Sequence, residues 1–241
     1  MKLLKVESHV FLKNSKELST SDMPDLISMF HEDELLPQYF EELISSQQRS
    51  KRLMFINPLS GKAVRFQTDR VVISLEMDPF NNSSENGVEV FSKFYEFVSR
   101  VINNLVSFNS GNFIAHRISL VTNTLNILES GEKAEVAQKL ITPLPWGTEQ
   151  LTELKVKIGN KCEFESINEI GNAVLSLDDG EVEQNKNGQT EFRKDCFLAI
   201  WDLNTSPEML EPRFNEDTCK QLTQEMLNMT QDKIHTLEDF L

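Results

Sequence analysis

From Leu4 to Lys13 the chain alternates: Leu4, Val6, Ser8, Val10 and Leu12 fall on one side, and Lys5, Glu7, His9, Phe11 and Lys13 on the other. A repeat of two is the spacing of a strand covered on one face, so the fold is expected to open with one. The next stretch, "STSDMPDLISMF", has Ser21 or Asp22 to cap a helix, Pro24 in the first turn, and Leu26, Ile27, Met29 and Phe30 along an apolar side. Pro37 is expected to break this helical region in two. Three strands should follow as a meander, "RLMFI", "KAVRFQ" and "RVVISLEM", the first pair joined across "NPLSG" with its Pro58 and Gly61. In this meander the period-two register jumps. Val64 and Phe66 share a face before Thr68-Asp69-Arg70, and Val71, Ile73 and Leu75 share one after it. A strand cannot change parity by itself, so a tight turn or a bulge is expected there.

After the polar stretch "DPFNNSSENG", read as a loop, the repeat changes to 3.6. Phe91, Phe94, Tyr95, Val98, Val101, Ile102 and Leu105 make a continuous stripe, which predicts a helix lying across a sheet. "NFIAHRISLVTNTLNIL" returns to strand, rich in β-branched residues, and "GEKAEVAQKLI" predicts a short helix. "TPLPWG" reads as a boundary between a first half, 1–142, and a second, 143–241, packed together as one unit. In the second half "LTELKVKIG", "KCEFESI" and "NAVLSLDD" read as strands, and "GEVEQNKNGQTEFRKD" as a mobile loop. "CFLAIWDLN", apolar on both sides, reads as a central strand covered on both faces. Two helical segments close the chain, one on Cys219, Leu222, Met226 and Leu227, the other capped at Thr230 and carrying Ile234, Leu237 and Phe240. Strands come in groups rather than alternating with helices. The expected class is α+β with mostly antiparallel sheet in two strand groups, the long amphipathic helix on the first and helices at the C-terminus.

Composition narrows the function classes. The chain is 39% hydrophobic and 26% charged, the balance of a globular protein. No run approaches the roughly 20 apolar residues of a membrane span, so no membrane association is expected. "MKLLKVESHVFLK" lacks the apolar block of a signal peptide, which points to a cytoplasmic home. Three cysteines, Cys162, Cys196 and Cys219, fit neither a disulfide framework nor a zinc site and read as reduced, buried small hydrophobes. With 38 acidic residues against 24 basic ones the net charge is −14. Such a field repels phosphate backbones and disfavours general nucleic-acid binding. It reads first as a means of solubility, and in its sharper form suits a basic protein partner or mimicry of nucleic acid.

No motif spells out a reaction. The nucleophile elbow G-x-S-x-G is missing, no cysteine has a histidine near it in sequence, and no glycine-rich phosphate loop opens a helix. His9, His31, His116 and His235 lie far apart and form no H-x-x-x-H pair, so neither a metal nor a cofactor is expected. His116 in "FIAHRISL" reads as a satisfied sheet histidine, with a ligand or base role as the alternative. Asp69, Asp78 and Asp202 are the carboxylates that a two-metal site on strand ends would use. Gln67, Asp69 and Arg70, in "FQTDRV", read first as turn-stabilising groups, Asp69 bonding backbone amides and Arg70 pairing with a nearby carboxylate. Their functional reading is a recognition edge from which Arg70 reaches a partner's carboxylate.

The alternating first strand, "RLMFINPLSGKAVRFQTDRVVISLE" with its Q-x-D-R, the helix "FSKFYEFVSRVINNL", the strand "HRISLVTNTLNIL" and the ending "FNEDTCKQLTQEMLNMTQDKIHTLEDFL" together resemble a sporadically distributed family of bacterial proteins of about this length, with no established function. The resemblance runs through most of the chain in order. Where the family carries an aromatic and an asparagine after Q-x-D-R, this chain has Ile73-Ser74-Leu75; its tyrosine-asparagine pair in the later strand is here Val121-Thr122-Asn123, which keeps only the asparagine. The scattered distribution is what defence- or conflict-associated genes show. The expectation is therefore a non-enzymatic cytosolic interaction protein, an antitoxin, immunity or adaptor component, that binds a basic partner through its acidic surface. The alternatives are a hydrolase with a site assembled from Asp69, Arg70, His116 and Arg117, and a nucleic-acid mimic.

Overall fold

The computed structural model describes residues 1–13, 18, 20–46, 48–78, 80, 87–109, 113–129, 132–141, 153–186 and 189–240, with backbone alone for 20, 141, 184–186 and 189–192. In chain order the elements are β1 (Lys2–Leu12), α1 (Met23–Met29), β2 (Leu36–Leu43), β3 (Arg49–Asn57), β4 (Lys62–Phe66), β5 (Arg70–Glu76), α2 (Gly87–Phe108), β6 (Ala115–Ile127), α3 (Glu132–Ile141), β7 (Lys155–Phe164), β8 (Glu169–Lys186), β9 (Gln189–Asn204) and α4 (Glu216–Phe240). The nine strands form one antiparallel sheet in the order β2-β3-β4-β5-β1-β6-β9-β8-β7. The class is α+β, as the grouping of strands predicts. The sheet passes without a break from the first half of the chain to the second through the β6–β9 ladder. The two expected strand groups are thus one sheet, and "TPLPWG" itself lies outside the described residues.

One face of the sheet is covered. Along β1 the side chains of Val6, Ser8 and Val10 are fully buried, opposite Leu75, Ile73 and Val71 of β5 and Thr122, Leu120 and Ile118 of β6. Helix α2 crosses β1 and β5, α4 crosses β6 and β9, and the two helices pack side by side. The predicted stripe is the buried side of α2, joined by Phe97 one turn on from Phe94, both fully buried. Removing each such phenylalanine from water contributes about 1.5–3 kcal/mol. A buried carboxylate with two part-exposed cations lies beside this layer. Asp33, in a short 3₁₀ turn, accepts from Lys62 Nζ at 2.7 Å and Arg100 at 2.8 Å, and Asn57 donates to its carbonyl. Burial alone would raise the Asp33 pKa, but the Arg100 and Lys62 hydrogen bonds bring it below the ordinary value.

Several elements differ from expectation for identifiable reasons. Pro37 does not divide a helix; it lies in edge strand β2, whose exposed face gives no core-facing pattern to read. "KVKIGNKCEF" is one strand, β7, rather than the parts of two. In "GEVEQNKNGQTEFRKD" the described residues, 180–186 and 189–195, are no mobile loop but paired strand of β8 and β9. This pairing extends beyond Asp178, where the β7 ladder starts, and beyond Cys196, where the β6 ladder stops, so among the described residues it is a two-stranded ribbon without flanking strands. "CFLAIWDLN" lies inside the sheet, yet only its Phe197, Ala199, Trp201 and Leu203 side is closed by helices, while Leu198 and Ile200 are half-buried. The C-terminal helix is continuous: Thr230, expected as a cap, instead bonds back to the Met226 carbonyl at 2.8 Å. Its start is capped by Asn215, which accepts from the Thr218 amide at 2.9 Å.

Candidate functional site

The parity jump at "FQTDRV" is a tight connection. β4 ends at Phe66, β5 begins at Arg70, and the Gln67 amide donates to the Arg70 carbonyl at 2.9 Å. The turn is strapped from outside by Glu42 of β2, whose carboxylate accepts from the Thr68 amide and hydroxyl, and by Arg52 of β3, which donates to the Thr68 hydroxyl at 2.7 Å. The role expected of Asp69 therefore falls to Glu42. Asp69 instead holds the guanidinium of its neighbour, at 2.9 Å from Arg70 Nε.

The second face of the sheet carries side chains that continue across strands in rows. Arg70, Phe11 and Arg117 are direct cross-strand neighbours on β5, β1 and β6. The Phe11 ring is 6% exposed, and it has a guanidinium from each side strand against it, Arg70 at 4.5 Å and Arg117 at 4.7 Å from its centroid. In the β1–β6 ladder Phe11 faces Arg117 while Leu12 already faces Ala115, which leaves His116 as the extra residue of a bulge. Bulges re-aim side chains. Here the His116 ring meets the edge of Phe11 at 6.1 Å. Four of the residues singled out in the sequence, Asp69, Arg70, His116 and Arg117, thus come together around a fifth that was not, Phe11. Its signal was its position: a lone phenylalanine on the polar side of the first strand. Gln67 joins them through its backbone.

Electrostatics set these groups apart from each other. His116 is not a satisfied sheet histidine among the described residues, where its buried Nδ1 has no hydrogen-bond partner. Burial holds its pKa below the usual value; Asp69 opposes this, and the charges of Arg213 and Arg117 add to it. Arg213 belongs to the segment after β9, which returns to the sheet through the Ala115–Phe214 bridge, and its own partner is Glu169 at 2.7 Å. Among the described residues Arg117 has no carboxylate within ion-pair distance, and its Nε is buried and unbonded. Burial lowers its pKa, Asp202 and Asp69 raise it, and Arg70 lowers it; a guanidinium remains charged throughout.

One row along, His9 stacks on Phe11 at 6.4 Å and faces Ser119, whose hydroxyl donates to Asp202 at 3.0 Å. Asn204 donates to the same Asp202 oxygen and accepts from Asn172. One row further, Glu7 is ringed by Lys5 at 3.1 Å, Arg65 and His9. Burial alone would raise its pKa, but the nearby His9 ring and the Lys5 and Arg65 charges bring it down to about 2. A groove of about 590 Å³ opens over β3–β5 between Met54, Ile56, Arg65, Ser74 and Met77.

The carboxylates considered for two metals do not converge. Asp69 and Asp78 bracket β5, roughly 25 Å apart along the strand, and among the described residues no three His, Cys, Asp or Glu side chains are placed to hold a metal ion. The thiols are apart from the cluster, on β7, β9 and α4, and burial pushes each one up. Among the described residues no helix is long and apolar enough to cross a membrane.

No family model matches the chain, and no curated protein is significantly similar to it. The class is defined by the fold and site alone. It is an α+β protein with helices on one sheet face and, on the other, a polar surface centred on an aromatic ring between two arginines.

Proposed function

We propose that the chain is a non-enzymatic, cytoplasmic protein–protein interaction component, an antitoxin, immunity or adaptor protein of a bacterial defence or conflict system, in line with the family it resembles. It binds a basic partner through its acidic surface. The observation that supports this most directly is how its cations are used. Lys5, Arg52, Lys62, Arg65, Arg100, Lys133, Arg213 and Lys220 are each tied by the fold to a carboxylate. The excess of 38 acidic over 24 basic residues is then left to the surface, where it steers a basic protein and fixes its orientation. Tagged protein purified from its native host should bring down a basic protein, with an association that weakens steeply as salt rises. A protein that comes down alone and turns over an ester or nucleotide would end this reading.

A hydrolase is the second reading, favoured by the gathering of Asp69, Arg70, His116 and Arg117 and by a His116 imidazole that burial biases toward its neutral, proton-accepting form. Alanine at each of the four should then abolish a measurable hydrolysis; activity that survives all four changes removes it.

A further inference from the structure

We propose that Arg117, with Phe11 and Arg70, is the docking site for one carboxylate side chain of the partner protein, an Asp or Glu that fixes the register of an otherwise basic surface. This rests on the interaction reading above.

The argument begins with the exception. In a chain of net charge −14, Arg117 has no carboxylate partner among the described residues, although the cations around it do: Arg70 holds Asp69, Arg65 holds Glu7 and Arg213 holds Glu169. Its Nε is buried and unbonded, which leaves donor capacity unused beside a low-dielectric wall. The Arg117 guanidinium rests over the Phe11 ring, 4.7 Å from its centroid, so it is held in place before any ligand arrives. The neighbouring arginine shows what the surroundings accept. On the same ring, Arg70 already carries a carboxylate, that of Asp69, at 2.9 Å.

Charge selects the ligand class. A guanidinium fork fits a carboxylate with two parallel hydrogen bonds. A nucleic acid would bring many phosphates into the field of a strongly acidic protein and be repelled. A single Asp or Glu on a basic protein meets attraction everywhere, and at this site it meets a partner that any other residue would leave unpaired. That is discrimination as well as affinity.

The test follows the Nε–Hε resonances of Arg117 and Arg70 in the ¹⁵N-labelled full chain while a short lysine-rich peptide carrying a single glutamate, inorganic phosphate or a short oligothymidylate is added. The peptide should shift the Arg117 resonance saturably. Arg117→Gln should abolish the effect, and Arg117→Lys, which keeps the charge but loses the fork, should weaken it by at least about tenfold; the lysine variant carries the test if the glutamine one fails to fold. No shift at millimolar peptide, equal binding by the glutamine variant, or tighter binding of phosphate or oligothymidylate overturns the proposal. The two readings fail separately. A partner that co-purifies equally with wild type and Arg117→Gln leaves the interaction standing and removes this site. Peptide binding without a co-purifying protein leaves the site and removes the partner.

Discussion

Strand β1 serves two surfaces that are buried by different physics. Toward the helices it presents Val6, Ser8 and Val10, closed over by α2. Away from them it presents Lys5, Glu7, His9 and Phe11, shielded mainly by one another in ion pairs and ring contacts. Apolar packing is non-directional and tolerates water on neither side. A polar network depends on every partner and titrates. The covered face should therefore govern stability at every pH, and the second face should govern its dependence on pH and whatever the protein recognises.

The comparison can be broken at four points. Phe94→Ala, at the centre of the covered face, should cost about 3–5 kcal/mol, equally at pH 7 and pH 3, as read by denaturant unfolding; a cost under 1 kcal/mol would mean that α2 is not the main cover. Glu7→Gln should cost about 2–3 kcal/mol at neutral pH. The folded carboxyl titrates near 2 against an ordinary 4.5, so its contribution is complete above about pH 4.5 and is lost as pH falls toward 2. The gap between variant and wild type should close over that window, and a gap that persists at pH 2 would contradict the network. His116→Gln should have a smaller effect of a different shape. Burial lowers the folded pKa, so wild-type stability declines as pH falls through the ordinary histidine value of 6.5. The variant should lose that decline, visible in thermal melts between pH 7 and 5. Asp69→Asn removes an exposed pair, half of it open to solvent, and should move stability by less than about 1 kcal/mol. It should nonetheless strengthen binding of the lysine-rich peptide with its single glutamate, because it frees Arg70. Unchanged or weaker binding would separate Arg70 from the docking site.

What was readable in the chain follows the same division. The stripe on α2 and the alternation of β1 were legible because each faces an apolar layer. The turn at Thr68–Asp69 was legible because parity cannot jump within a strand. β2 was not, since an edge strand exposed along most of its length carries no period, and the β8–β9 ribbon was not, since two strands bonded chiefly to each other can be polar throughout. The site shows the limit most clearly. Asp69 with Arg70 and His116 with Arg117 were each visible as neighbours in sequence, but Phe11, which joins the two pairs, lies some sixty residues before the one and a hundred before the other.

The sequence by itself determined the α+β class, the faces of the first strand and the long helix, and the turn, because all of these are set by local period and parity. The tertiary structure alone decided that both halves share one sheet, that β1 is inserted between β5 and β6, and that His116 is turned toward Phe11 by a bulge. Those are matters of pairing between distant strands, where a shift of one residue sends every side chain to the opposite face. Only that register places beside the ring an arginine that has no carboxylate partner among the described residues.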